Sequence, residues 1–300
     1  MQRAILICGP TASGKTDYAH NLAQKNNGSI INIDSMQIYK QIPIITASPS
    51  EKYKSELPYH LYNFLDIQEE FSVVKYVNTA VKVIREESNK GKLPIIIGGS
   101  GLYINALLYG YNEIPVILPE IRKSVRELQA SMSNQKFFDG LKKIDASVEG
   151  KLLPSDTQRI IRAYEVCIQT GKSIFAWQQQ DNIIPLPEFK FEVIFLWPER
   201  SLLHKNCNDR VVQMFHGGAV EEITQLLENF KGVSDSALKA VGTREIISYL
   251  KNEINLLEAI KISQDKTRQY AKRQITWFKN QIKEKKIIQY SSKEKFLKLL

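Results

Sequence analysis

Cysteine is scarce in this 300-residue chain: Cys8, Cys167 and Cys207 are odd in number, far apart, and form no Cys-x-x-Cys pair. That pattern argues against a disulfide framework and a zinc ribbon, and leaves all three as small buried hydrophobes. The four histidines, His20, His60, His204 and His216, lack the close spacing of a metal site. Long apolar runs are missing as well. The longest, such as Leu93-Pro94-Ile95-Ile96-Ile97, are strand-sized and fall far short of the roughly 18–20 residues of a membrane helix. With only 15 glycines and 11 prolines, collagen-like and low-complexity classes are excluded. Met1 to Pro10 carries one charged side chain and turns directly into a glycine loop, without the apolar stretch and cleavage site of a signal peptide. A cytoplasmic location is expected. Acidic residues are in deficit, 32 against 41 basic ones, for a net charge of +9. Between Lys251 and Leu300 stand thirteen lysines and arginines against five acids. Such a concentration is either the footprint of a polyanionic partner or a solvated helix face.

What is present is ordinary soluble composition, 43% hydrophobic and 24% charged, in a chain long enough for one large domain or two smaller ones. The first half alternates apolar runs with helical patterns: strands over Arg3–Cys8, Ser29–Asp34 and Leu93–Gly98, helices over Lys15–Gln24 and Val74–Asn89, and a helix start over Leu102–Leu108. Alternation at this spacing demands crossover connections, and so predicts a parallel sheet covered by helices on both faces. Its strands are apolar throughout, as fully buried strands must be. After Gly110 the pattern becomes helical between two Pro-containing linkers, Ile114–Pro119 and Asp181–Glu188, and a strand returns over Phe191–Trp197. The expected organisation is an α/β core over 1–113 and 191–300, interrupted by a helical insertion over 114–190. From Arg200 onward the chain reads as helical.

Gly9-Pro10-Thr11-Ala12-Ser13-Gly14-Lys15-Thr16 fits G-x-x-x-x-G-K-[ST] without mismatch, between an apolar strand and a helix. Backbone N–H groups and the positive helix end form an anion cradle, Lys15 reaches the distal phosphate, and the Thr16 hydroxyl can hold Mg²⁺. The motif specifies a phosphate group without saying which molecule carries it. Asp34, at the end of the second strand, lies where ligands of parallel sheets bind. It reads equally as a metal-binding acid, a general base or a helix N-cap. The third strand runs into Gly98-Gly99-Ser100-Gly101, where glycines would let a substrate approach and Ser100 would donate a hydrogen bond; a plain tight turn is the alternative.

Taken in order with Asp34-Ser35-Met36-Gln37-Ile38-Tyr39-Lys40, Gly98 to Tyr103, Asp156 to Ala163, Val241-Gly242-Thr243-Arg244 and Lys272 to Phe278, the loop makes the chain resemble the tRNA dimethylallyltransferases over nearly its whole length. With no Cys/His finger near the C-terminus, it is similar to their bacterial form. The resemblance implies a P-loop NTPase-like core with a helical insertion, and transfer of a dimethylallyl group from its diphosphate to N6 of adenine 37, next to the anticodon of tRNA. It implies that Gly9 to Thr16 hold the diphosphate with Mg²⁺ rather than ATP, Asp34 is the catalytic base, and Ser100 and Arg210 act on the reacting groups. The tRNA would meet Asp34, Ser35, Met36, Gln37, Ser100, Arg122 and Gln158-Arg159-Ile160-Ile161-Arg162. It would also meet Lys239-Ala240-Val241-Gly242-Thr243-Arg244 and Lys272-Arg273-Gln274-Ile275-Thr276-Trp277-Phe278-Lys279. A monomer acting on an anticodon stem-loop and dimethylallyl diphosphate, away from membranes, is the expectation. Three stretches depart from the family pattern: Ile45-Thr46-Ala47-Ser48-Pro49 replaces Gly-Thr-Ala-Lys-Pro, Tyr59-His60 a His-His pair, and Asp145-Ala146 an Asp-Pro. A P-loop kinase, or an RNA-binding P-loop protein without transferase activity, shares the core motif but not the whole set.

Overall fold

A computed structural model describes residues 1–69, 71–230, 233–234 and 237–300. In chain order its elements are β1 (Gln2–Cys8), α1 (Lys15–Lys25), β2 (Gly28–Asn32), α2 (Glu51–Glu56), β3 (Tyr59–His60), α3 (Val73–Asn89), β4 (Leu93–Gly98) and α4 (Gly101–Tyr109). Then follow α5 (Pro119–Ala130), α6 (Asn134–Ile144), α7 (Thr157–Thr170), α8 (Ile174–Gln178), β5 (Phe189–Pro198), α9 (Arg200–Met214) and α10 (Val220–Asn229). The chain closes with α11 (Thr243–Leu250), α12 (Leu256–Gln281), β6 (Lys286–Tyr290) and α13 (Lys293–Leu297). Contacts divide it into two compact units, Met1–Leu108 with Pro185–Leu300, and Tyr109–Ile184.

The first unit is built on one sheet in the order β3-β2-β4-β1-β5-β6, parallel at every pairing. Its central strands are buried on both faces, which is why their sequences are apolar without alternation. Ile5, Ile7, Ile30, Ile95, Ile97 and Ile194 pack with Ala19 and Ala23 of α1. Phe195, in register with Cys8 and therefore on the opposite face, meets Phe278 of α12 at 5.6 Å between ring centroids. Helix α12 begins in a reciprocal cap: Asn255 N–H donates to Glu258 at 2.9 Å and Glu258 N–H to Asn255 at 3.0 Å. Its buried residues Ala259, Ser263, Thr267, Ala271, Gln274 and Phe278 recur every three or four positions, the period of a helix lying on a core.

The second unit carries α5 to α8 around Phe137, Leu141, Ile160 and Tyr164, with the rings of Phe137 and Tyr164 stacked at 5.0 Å.

Two expectations from sequence need correction. The chain after Arg200 is not wholly helical, because Lys286–Tyr290 forms β6 beside β5. Only Tyr290 of that strand is buried, and Lys285-Lys286 open it, so a charged sheet edge hides it from hydrophobic patterning. The second strand ends at Asn32, which leaves Asp34 in the following loop. Among the described residues, no helix is long and apolar enough to cross a membrane.

Phe278 is fully buried. Truncating it to alanine should lower unfolding stability by about 3–5 kcal/mol in a denaturant titration; a loss below about 1 kcal/mol would contradict the packing described.

Candidate functional site

The loop after β1 turns tightly through left-handed conformations at Ala12 (φ 60°) and Gly14 (φ 68°), then enters α1 at Lys15. It lines a cleft of about 900 Å³ together with Asp34, Arg210, Lys239 and Arg273. Lys15 donates from Nζ to the Pro10 carbonyl at 2.6 Å. Burial pushes its ammonium down to about 8; Asp34 works against that shift and Arg210 with it. The Arg210 guanidinium is likewise lowered by burial and favoured by Asp34, and it donates to the Thr46 carbonyl at 3.3 Å. Lys15 and Arg210 thus share the cleft with further cations, Lys205, Lys239, Arg273 and Lys293, which outnumber the carboxylates of Asp17, Asp34 and Asp209, an arrangement suited to a multiply charged anion.

Asp34 is held by the strand that precedes it. Its N–H donates to Asn32 Oδ1 at 2.8 Å, while Asn32 Nδ2 donates to the Leu61 carbonyl at 2.8 Å. The carboxylate accepts the Met36 N–H at 2.9 Å through Oδ1, a turn cap rather than a helix cap, since turns and not a helix follow. Ser100, on the loop after β4, accepts the Ser35 N–H at 2.9 Å and donates to Ser35 Oγ at 3.1 Å. Its hydroxyl ties the two loops together.

The glycines around Ser100 make room for protein. A Cβ at Gly99 would lie 2.2 Å from Gln274 Nε2, and one at Gly101 2.5 Å from the Trp277 ring. Close approach by α12 fixes these two positions. Gln274 donates to the Gly99 carbonyl at 2.9 Å and accepts the Thr11 N–H at 2.8 Å, so one buried amide joins the two glycine loops. Beside it opens a second cavity of about 470 Å³ lined by Tyr39, Phe71, Tyr103, Tyr270, Trp277 and Phe278. The two cavities share Ser35, Met36, Lys239, Tyr270, Arg273 and Gln274 as lining.

The divergent stretch Ile45 to Pro49 is firmly seated. Glu222 accepts the N–H groups of Ile44 at 2.7 Å and Ile45 at 2.9 Å. Gln37 donates to the carbonyls of Thr46 at 3.2 Å and Ala47 at 2.9 Å. Burial raises the Glu222 carboxyl, and those two amides oppose the rise.

Not every residue expected at an RNA surface offers its side chain there. Ile160, Ile161, Ala240, Thr243, Gln274 and Phe278 are buried, so their side chains hold the fold. Lys272, Arg273, Thr276, Lys279, Lys239 and Arg244 are exposed. Lys279 sits over the Trp197 ring at 3.8 Å from its centroid. Gln158 and Arg159, exposed, with Arg122 and Arg162, half-buried, belong to the second unit, where Arg162 lies 3.7 Å from Glu165. Sequence reasoning missed Lys205, Asn206, Tyr290, Lys293 and Phe296 along the cleft and Glu222 behind it. Each comes from a segment at least 170 residues from the loop it serves, and none stands in a motif.

Among the described residues no three His, Cys, Asp or Glu side chains cluster as a metal site. Thr16, Asp17 and Asp34 are oxygen donors facing the cleft.

A parallel α/β sheet runs its first strand into this loop, with Lys15 and Arg210 half-buried beside it, a fold and a charge arrangement suited to a phosphate-bearing ligand. The chain belongs to the IPP transferase family, whose model matches residues 37–281. A tRNA dimethylallyltransferase of Rickettsia bellii is 54% identical over 98% of this chain and 93% of its own. Among solved structures, a tRNA isopentenylpyrophosphate transferase of Staphylococcus epidermidis is 31% identical at TM-score 0.67, over 96% of this chain and 93% of that one. A eukaryotic dimethylallyltransferase acting on tRNA reaches TM-score 0.81 at 27% identity, over 99% of this chain and 76% of that one.

The depressed Lys15 ammonium predicts a pH dependence. Lys15 is charged below about 8 and neutral above it, and an anion needs the charged form, so affinity for inorganic pyrophosphate should fall as pH rises through about 8. Lys15→Arg, whose guanidinium stays charged, should remove that fall. Titration calorimetry checks this; wild-type affinity flat to about pH 9.5 would contradict it.

Proposed function

We propose that this protein transfers a dimethylallyl group from dimethylallyl diphosphate to N6 of adenine 37 in tRNA, releasing diphosphate. The observation that carries the reading is the placement of Asp34 in the cationic cleft, on a loop whose next two residues also line the aromatic cavity. The diphosphate lies against the loop amides, Lys15 and Arg210. The adenine, flipped out of the RNA stack, enters the cavity of Tyr103, Tyr270 and Trp277.

Adenine N6 is a weak nucleophile, and diphosphate leaves only when its growing charge is neutralised. As the allylic C–O bond breaks, Lys15, Arg210 and the loop amides take up that charge. As the N–C bond forms, Asp34 accepts the N6 proton. Asn32 holds the Asp34 backbone and the Met36 N–H orients its carboxylate. Ser100 positions Ser35 and the strand end beside it. Thr16 would hold Mg²⁺ jointly with the diphosphate, with Asp17 as a further oxygen donor lining the cleft. Bound there, the ion would add positive charge to the leaving group. Lys239, Arg244, Lys272, Arg273 and Lys279 grip the RNA backbone, as do Arg122, Gln158, Arg159 and Arg162 of the helical unit. The active form is a cytoplasmic monomer.

Incubation with an unmodified anticodon stem-loop, dimethylallyl diphosphate and Mg²⁺, followed by nucleoside mass analysis, tests the reading. N6-dimethylallyladenosine is expected from the wild type and almost none from a folded Asp34→Ala variant. Unmodified RNA with the wild type, or phosphate transfer from ATP to a small molecule, would overturn it. Lys272→Ala should bind the stem-loop only modestly more weakly, with a salt slope shallower by about one; an unchanged slope would return Lys272 to the solvated surface.

A further inference from the structure

The phosphate loop is held residue by residue from the far end of the chain. Thr11 N–H donates to Gln274 of α12 at 2.8 Å, and the Ala12 carbonyl accepts from Asn206 of α9 at 3.2 Å. The Ser13 carbonyl accepts from the Tyr290 hydroxyl of β6 at 2.6 Å, a fully buried bond. The Phe296 ring of α13 lies against Gly14, where a Cβ would come within 2.5 Å of its Cζ. Tyr290 and Phe296 also pack on each other, ring centroids 5.0 Å apart.

A loop that turns its amides toward an anion must turn carbonyls away, and buried carbonyls need partners. Ala12, an L residue in the left-handed region, keeps that conformation only where its surroundings impose it. The side chains named above supply both requirements. The Thr11 N–H is already taken by Gln274, which leaves the amides from Ala12 onward for the ligand.

We infer that Tyr290 and Phe296, on a C-terminal segment beyond the stretch matched by the family model, are positioning residues that set the shape of the phosphate loop and so the affinity for the diphosphate donor. This rests on the reading of the loop as the diphosphate site. The Tyr290 hydroxyl is spent on the Ser13 carbonyl, and it acts through that bond. The Tyr290→Phe change removes one oxygen and keeps the ring on Phe296, leaving that carbonyl buried without its partner.

The test is calorimetric binding of inorganic pyrophosphate, with steady-state kinetics and stem-loop affinity on the same preparations. Tyr290→Phe should weaken pyrophosphate about tenfold and raise KM for dimethylallyl diphosphate to match, with kcat within about twofold and RNA affinity unchanged. Should Tyr290→Phe lose RNA binding through misfolding, Phe296→Leu decides in the same assay, with several-fold weaker pyrophosphate expected. Wild-type pyrophosphate affinity in a folded variant overturns the inference alone. A wild-type protein that binds no pyrophosphate, or a Lys15→Ala variant that binds it undiminished, overturns the reading of the loop and the inference with it.

Discussion

Lys15 and Arg210, half-buried cations that both interact with the Asp34 carboxylate, set the terms for this cleft. Removing charge from water is unfavourable unless partners replace the solvent, and Lys15 records the deficit in its lowered pKa. Asp34 is the leading group that favours the charged forms of both Lys15 and Arg210. A rigid frame must therefore hold these groups together against their repulsion, and an anionic ligand relieves it. Much of the remaining architecture is that frame. Asn32 fixes Asp34, Glu222 and Gln37 fix the loop that receives Arg210, and the last third of the chain fixes the loop that carries Lys15.

Sheet order explains how such distant residues meet. With β1 between β4 and β5, and β2 beyond β4, the loops after β1, β2 and β4 emerge at the same end of the sheet. Strand β6, at the edge beyond β5, brings Tyr290 behind the phosphate loop. Helix α12 carries Gln274 and Trp277 onto the glycines after β4, while Lys272 and Arg273 of the same turns remain exposed. One helix therefore lines both cavities with Tyr270, Arg273 and Gln274 and carries exposed charge on the same turns.

The phosphate loop, β1, β4 and α3 were legible because each is a local pattern: a motif, a buried apolar run, a periodic helix. Asp34 was legible as a group near a strand end, read as a metal-binding acid, a general base or a helix N-cap; the Met36 N–H it accepts makes it the cap of a turn, which local pattern did not give. The glycines at 99 and 101 were read as room for substrate, since nothing local says that Gln274 and Trp277, some 175 residues on, fill that space. Strand β6 was missed because a charged edge strand buries one residue. Lys205, Asn206, Glu222, Tyr290 and Phe296 left no trace in the sequence, because their roles exist only through pairings that topology creates. The buried members of Lys239–Arg244 and Lys272–Lys279 were visible as parts of a motif, but motif membership does not separate a side chain that supports the fold from one that faces a partner.

The central claim is that the loop from Ala12 to Lys15, with Arg210 across the cleft, is where the diphosphate sits. A crystal structure of the protein grown with pyrophosphate and Mg²⁺ tests it most directly. The account predicts density for the anion on those amides, within hydrogen-bond reach of Lys15 and Arg210. An anion bound elsewhere, with the loop vacant, would contradict it.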